Sequence, residues 1–152
     1  MYTLVKVSLI NESDNPDPKY ETEGSAGMDL RAYLPEGQVK IFPRKRAIID
    51  TGIRVVIPSG HEGQVRSRSG LAAKHGIMVL NSPGTIDSDY RGRIKVILLN
   101  TSDTVFEVNS GDRIAQLVFA QHSTAVIHIV ESFDDIHSTE RGEGGFGSTG
   151  VH

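Results

Sequence analysis

Residues 81–100 read NSPGTIDSDYRGRIKVILLN, and the reading of this stretch decides the fold. Pro83 and Gly84 punctuate a turn. Thr85 and Ile86 favour strand, and Ser88 and Asp89 stand at the bend before Tyr90. Residues 94–99 then run almost wholly apolar, the pattern of a strand covered on both faces. Two acids, an aromatic ring and two arginines in a loop and hairpin beside such a strand predict a functional site, because binding groups concentrate on loops held by a rigid scaffold.

Outward from that strand the chain keeps a β rhythm. Residues 3–10 alternate, with Val5, Val7 and Leu9 on one face and Lys6 and Ser8 on the other, as a half-buried strand does. Residues 11–24 form a polar connection carrying Pro16 and Pro18, too rich in breakers for helix. Alternation resumes over residues 26–34, and residues 39–42, 47–57 and 63–67 read as further short strands set off by proline and glycine. Only residues 69–76 predict a helix, a turn or two long, with Ser69 suited to its start and Gly76 to its stop. Residues 105–108 and 113–119 flank Asn109, Ser110, Gly111 and Asp112, a hairpin signal, and residues 126–130 read as a last strand. Many short strands with frequent turns predict an all-β, jelly-roll-like barrel or sandwich. Its body is expected over residues 1–135, and residues 136–152 as a flexible glycine-rich C-terminal arm that cannot bury a core of its own.

A chain of 152 residues suffices for one domain with a real core. Its net charge of -3 gives no reason for non-specific attraction to nucleic acid or an anionic membrane. Cysteine is absent, so disulfides, thiolate nucleophiles and Cys-based zinc sites are excluded. No basic leader precedes a long apolar run, and no stretch approaches the roughly 20 apolar residues needed to span a bilayer. A cytoplasmic protein is expected. The histidines form no metal set: His122 and His128 would share a strand face, but six residues at about 3.3 Å each hold them roughly 20 Å apart.

Residue types alone leave several roles open. Asp87 is either a turn-starting aspartate or a base. Asp29 interrupts an apolar alternation, either as the solvent face of a strand or as a hard oxygen ligand. Arg68, Ser69 and Gly70 are either an ordinary helix start or an anion site, since free N–H groups and the helix dipole meet there. Gln116 shares a face with Ile114 and Val118, and an amide there needs a partner, whether within the sheet or on a ligand.

Five stretches in this order resemble the trimeric all-β deoxyuridine triphosphatases (dUTPases): AGMDLRA at residues 26–32, RSGLAAKHG at 68–76, NSPGTIDSDYRG at 81–92, GDRIAQLV at 111–118 and RGEGGFGSTG at 141–150. One small departure is Ser67, where many relatives carry proline. The resemblance implies a magnesium-dependent hydrolase that converts dUTP to dUMP and pyrophosphate by water attack at the α-phosphate, limiting uracil in DNA and supplying dUMP for thymidylate synthesis. It implies a homotrimer with active sites between subunits and the arm of one reaching another's pocket. Asp87 would hold the attacking water, and Asp29 would hold Mg2+ through water. Arg68, Ser69, Gly70 and Gln116 would bind phosphate. Asn81 and the backbone at Gly84, Thr85 and Ile86 would read uracil, whose O4 acceptor and N3 donor are reversed in cytosine; a site built to pair such groups discriminates strongly. Tyr90 would lie under the deoxyribose and leave no room for a 2′-hydroxyl.

By the same resemblance the arm is a lid, with Phe146 stacking on uracil and Arg141, Gly147, Ser148 and Thr149 gripping phosphates. Residues 142–147 have the glycine spacing of a P-loop, but Ser148 stands where its lysine belongs and no strand leads in. Two rivals remain at this stage. One is a deoxycytidine triphosphate deaminase of the same fold, which needs a further acid or base that the sequence does not place; the other is a noncatalytic nucleotide-binding β-domain.

Overall fold

The computed structural model describes residues 4–132 and 139–146. Its elements are β1 (Ser8–Asn11), β2 (Met28–Arg31), β3 (Val39–Ile41), β4 (Arg46–Asp50), β5 (Ile53–Val56), β6 (His61–Arg66), α1 (Ser69–His75), β7 (Ile77–Val79), β8 (Gly84–Ile86), β9 (Lys95–Asn100), β10 (Phe106–Val108) and β11 (Arg113–Gln121). The strands pair in four antiparallel groups, ordered β2-β11-β6-β8, β4-β9-β7, β1-β5 and β10-β3. This is the expected all-β, jelly-roll-like architecture. Leu30, Ile41, Ile49, Ile77, Ile94, Leu98, Ile114 and Leu117 are its largest fully enclosed side chains, each contributing about 1.5–3 kcal/mol by leaving water.

Several strands are shorter than the hydrophobic pattern suggests, because pairing and not alternation ends them, whereas β11 runs on beyond Phe119 to Gln121 along β6. Val5, Val7 and Leu9 take the half-buried face as expected, yet pairing starts only at Ser8, opposite Val56 near the end of β5. The run at residues 47–57 is two strands, not one. It breaks at Gly52, whose φ of 69° is left-handed, and a side chain there would collide with Ser13 at 2.7 Å. Likewise β2 ends at Arg31, after which Ala32 N–H donates to Asp112 O and Tyr33 N–H to Asp50 O, so the chain passes from one sheet to another.

Both expected hairpins are instead corners. Asn109 and Asp112 do close a turn, with the Asp112 carboxylate accepting from Asn109 N–H at 2.8 Å, but β10 then pairs with β3 while β11 pairs with β2 and β6. In the opening stretch β8 pairs with β6, whereas β9 lies between β4 and β7. The buried strand is covered on one face only within the chain: Val96 and Leu98 are enclosed, Ile97 and Leu99 half-buried. Residues 126–130 are not a strand. Val126, Ile127 and Ile129 are 98%, 77% and 86% exposed, because no strand among the described residues lies beside them to accept their hydrogen bonds.

The helix follows its local signals closely. Gly76 closes it in the left-handed conformation at φ 64° and ψ 27°, its N–H returning to Ala72 O and Leu71 O. At the other end Arg68, not Ser69, is the N-cap residue, and no side chain caps it. Ser69 is the first helical residue.

Candidate active site

The pairing of β8 with β6 sets Gly84 opposite Val65. A Cβ on Gly84 would press on the Asn81 amide nitrogen at 3.2 Å and on Val65 Cβ at 3.3 Å, so glycine is what lets the Asn81 side chain lie over the strand. Beside it opens a cavity of about 220 Å³. Asn81, Gly84, Thr85, Ile86, Asp87 and Tyr90 all line it. Six positions singled out from the sequence thus converge on one cavity. Val65, Val79, Lys95 and Val96 complete the lining, and none of these four was expected. Lys95 had a signal that went unused, as the one charge inside the apolar run at residues 94–99.

Asp87 is exposed at the rim. Its carbonyl accepts from Tyr90 N–H at 3.1 Å, closing the turn. Tyr90 is 43% exposed and so is not the enclosed core aromatic that its type allows. Its hydroxyl donates to Arg93 O at 2.9 Å, which folds the ring back across Gly92, where a Cβ would overlap the Tyr90 ring and hydroxyl. The Arg91 guanidinium donates to Ser88 O at 2.7 Å and Tyr90 O at 3.0 Å. These groups, and not the Asp89 carboxylate, hold the turn among the described residues.

A second polar cluster forms where β2, β11 and the start of α1 meet. Gln116 of β11 stands opposite Asp29 of β2 on one side and Arg66 of β6 on the other. Arg68 Nε meets Asp29 Oδ1 at 2.9 Å, and Arg113 Nε meets Oδ2 at 3.5 Å. Gln116 Nε2 donates to Ser67 O at 2.9 Å. The Ser67 hydroxyl accepts from Val79 N–H at 2.9 Å, a bond that ties the segment before α1 to β7. Ser69 and Gly70 are exposed, and a Cβ at Gly70 would meet nothing within 4 Å. Arg68, Ser69, Gly70 and Gln116 do not line the cavity.

The chemistry of these groups bears directly on magnesium. Among the described residues no three His, Asp or Glu side chains gather to cage an ion, and both Asp29 oxygens already face guanidinium groups. Direct inner-shell ligation by the described residues therefore does not fit. A single carboxylate does fit an ion that keeps its waters and leans on substrate phosphates, as Mg2+ does. In the arm, Arg141 Nε donates to Gly144 O at 2.8 Å and Phe146 is fully exposed. Neither lines the cavity; Gly147, Ser148 and Thr149 lie outside the described residues.

Comparison with known proteins bears on the family and the fold. A sequence model of the dUTPase family matches residues 13–150. The deoxyuridine 5′-triphosphate nucleotidohydrolase of Mesorhizobium japonicum is 56% identical over 150 residues, covering 98% of this chain and 91% of the relative. That of Roseobacter denitrificans is 53% identical over 135 residues, covering 89% and 87%. Among solved structures, the Staphylococcus bacteriophage 80alpha dUTPase with dUPNHPP superposes with a TM-score of 0.84 at 28% identity, covering 96% of this chain and 99% of that one. A point mutant of the dUTPase from phage phi11 of S. aureus, described as coordinating a structural Mg(II) ion, superposes with a TM-score of 0.73 at 25% identity, covering 85% and 99%.

Proposed function

The chain belongs to the dUTPase family and hydrolyses dUTP to dUMP and pyrophosphate, and from that premise we propose that Asp87 aims the attacking water and that sites are shared between three copies. The observation that carries the reading is the cavity beside β8, where Asn81, Gly84, Thr85, Ile86, Asp87 and Tyr90 form one lining. Asn81 and the β8 backbone face the uracil edge, Tyr90 the deoxyribose, and Asp87 stands at the mouth where the α-phosphate enters. Water attacks the α-phosphorus, its proton passes to the Asp87 carboxylate, and the bond to the α,β-bridging oxygen breaks to release pyrophosphate. Arg68, Ser69, Gly70 and Gln116 grip phosphate oxygens. Asp29 would hold Mg2+ through water, and the ion when bound would supply neutralising charge to the phosphates. Limiting dUTP keeps uracil out of DNA, and the dUMP feeds thymidylate synthesis.

Two observations support assembly as a homotrimer. The residues assigned to phosphate do not line the cavity within one chain, as expected where a neighbouring copy brings them to the α-phosphate. The exposed apolar residues Val126, Ile127, Ile129 and Val130 need cover that the described residues do not give them. On this reading residues 1–135 are the body and residues 136–152 the arm, with Arg141, Phe146, Gly147, Ser148 and Thr149 closing over another copy's cavity. The partners are dUTP and further copies of the chain, with no nucleic acid or membrane bound, in the cytoplasm. No helix among the described residues is long and apolar enough to cross a membrane. A dCTP deaminase or a noncatalytic domain is disfavoured, since the relatives are dUTP nucleotidohydrolases.

The test compares dUTP, dCTP and dTTP hydrolysis with and without magnesium. Pyrophosphate release from dUTP alone, abolished in Asp87→Asn while dUMP still binds, is expected; ammonia from dCTP would overturn the reading. Co-assembling an Asp87→Asn chain with one truncated before Arg141 should restore activity, and no recovery would argue against donation of the arm between copies.

A further inference from the structure

The loop at residues 87–93, which carries Asp87 and Tyr90, is held internally only by short bonds among its own exposed atoms. Its external anchor is a set of charges built on β1, β4 and β5. Arg54 of β5 donates from Nη1 to Arg91 O at 2.8 Å, gripping the loop by its main chain. Arg93, whose carbonyl receives the Tyr90 hydroxyl, sends its guanidinium back to the same place. One carboxylate joins the two: Glu12, just after β1, accepts from Arg54 Nε at 3.0 Å through Oε1 and from Arg93 Nε at 2.5 Å through Oε2.

Glu12 is itself fixed. Its N–H donates to Gly52 O at 2.8 Å, at the left-handed glycine that separates β4 from β5. Asp50 Oδ2 lies 3.3 Å from Arg93 Nη1, and Asp50 Oδ1 accepts from Gly52 N–H at 2.8 Å. The Tyr33 ring lies beneath the Arg93 guanidinium, 5.9 Å from its carbon. Two acids and two arginines thus balance in charge and tie residues distant in sequence to both sides of Tyr90. None of the four lines the cavity. Shared carboxylates of this kind are more than surface pairs, since each side chain is ordered by its other bonds and little further entropy is lost per contact.

We propose that Glu12 is a positioning residue for sugar selection: by bridging Arg54 and Arg93 it holds the Tyr90 loop at the cavity wall and thereby sets the preference for deoxyribose over ribose. This inference rests on the reading of Tyr90 as the group beneath the sugar. Glu12→Gln keeps the shape of the side chain but removes its charge and one of its two acceptors, so one arginine is released. A ring displaced by a fraction of an ångström no longer excludes the 2′-hydroxyl, and placement errors of about 1 Å in such walls alter selectivity by one or two orders of magnitude.

The test is steady-state kinetics on the full chain with dUTP and UTP. In Glu12→Gln the ratio of kcat/KM for dUTP over UTP falls about tenfold, with KM for dUTP raised and kcat changed less than about twofold. Arg54→Met, which cuts the grip on Arg91 O from the other side, shifts the ratio in the same direction and serves if Glu12→Gln folds poorly. Lys40→Gln, which loses an exposed pair with Glu107 remote from the loop, keeps the wild-type ratio. A wild-type ratio in both Glu12→Gln and Arg54→Met, from an active wild-type enzyme, would overturn the inference. A wild-type chain that fails to hydrolyse dUTP would overturn the activity itself, and the inference with it.

Discussion

Gly27, in the motif AGMDL, separates folding from catalysis, and Gly27→Ala is the perturbation that exposes the difference. An ideal Cβ at Gly27 would lie 2.6 Å from Gln116 Oε1, 3.3 Å from Val118 Cγ2 and 3.4 Å from Gln116 Cβ. Carbon–oxygen contacts settle at roughly 3.3–3.6 Å, so the amide oxygen has to retreat by about 0.7 Å or more while the other two contacts need little adjustment. The moving atom is the tip of a flexible side chain, and the fold can yield. The cost to stability is about 1 kcal/mol for the bond from Gln116 Nε2 to Ser67 O. Against it stands a gain of about 0.4–1 kcal/mol because alanine restricts the unfolded chain. Net stability is therefore nearly unchanged, and Tm moves by no more than about 4 °C. Catalysis does not escape, since Gln116 loses the orientation proposed for gripping a phosphate. A hydrogen bond to a charged group is worth about 1.5–3 kcal/mol, and each 1.4 kcal/mol is tenfold, so kcat/KM for dUTP should fall about 10- to 100-fold. Pyrophosphate release under magnesium and a thermal melt of the same preparation measure the two quantities. An unchanged kcat/KM would refute the role given to Gln116, and a collapsed Tm would refute the argument that the side chain can move aside.

Two further predictions concern buried and charged bonds away from the cavity. Asn100, fully buried at the end of β9, donates to Ile41 O and Thr104 O at 2.8 Å and accepts from Ser102 N–H and Oγ; Asn100→Ala orphans these partners and should cost about 3 kcal/mol by urea unfolding, a loss below about 1 kcal/mol contradicting the account. The hydrogen bond from Arg93, ahead of that from Arg54 and their charges and against some desolvation, holds the Glu12 carboxyl below its ordinary range. Since the folded value is the lower one, its stabilisation is present above the unfolded value and is lost as pH falls through the folded one. The Tm difference between wild type and Glu12→Gln should accordingly be constant near neutrality and vanish in acid below the ordinary glutamate range, and a difference that grows in acid would show the sign to be wrong.

Much of the site was legible because its groups are close in sequence. Asn81, Gly84, Asp87 and Tyr90 lie within ten residues, and a turn flanked by β-prone residues is a local signal. The helix was legible for the same reason, its stop at Gly76 being set by one left-handed residue. Pairing partners were not legible. Asn109 and Asp112 make the turn that the pattern announces, but a turn does not say whether the strands beside it pair with each other or with β3 and β2. Residues 126–130 carry a strand pattern without a strand, because a ladder needs an edge and none among the described residues lies beside them. Glu12 gave no signal at all: nothing in a glutamate at the end of a short strand reveals arginines at positions 54 and 93.

By itself, then, the sequence determined the β rhythm and the short helix, which are written in neighbouring side chains and in backbone torsions that glycine and proline impose, and its five motifs in order carried the resemblance to the family. Only the tertiary structure decided that Val65, Val79 and Lys95 wall the cavity, that Gln116 and Asp29 stand apart from it, and that Glu12 bridges two arginines behind Tyr90. These are contacts between residues far apart in the chain, and their energy exists only after the strands have chosen partners.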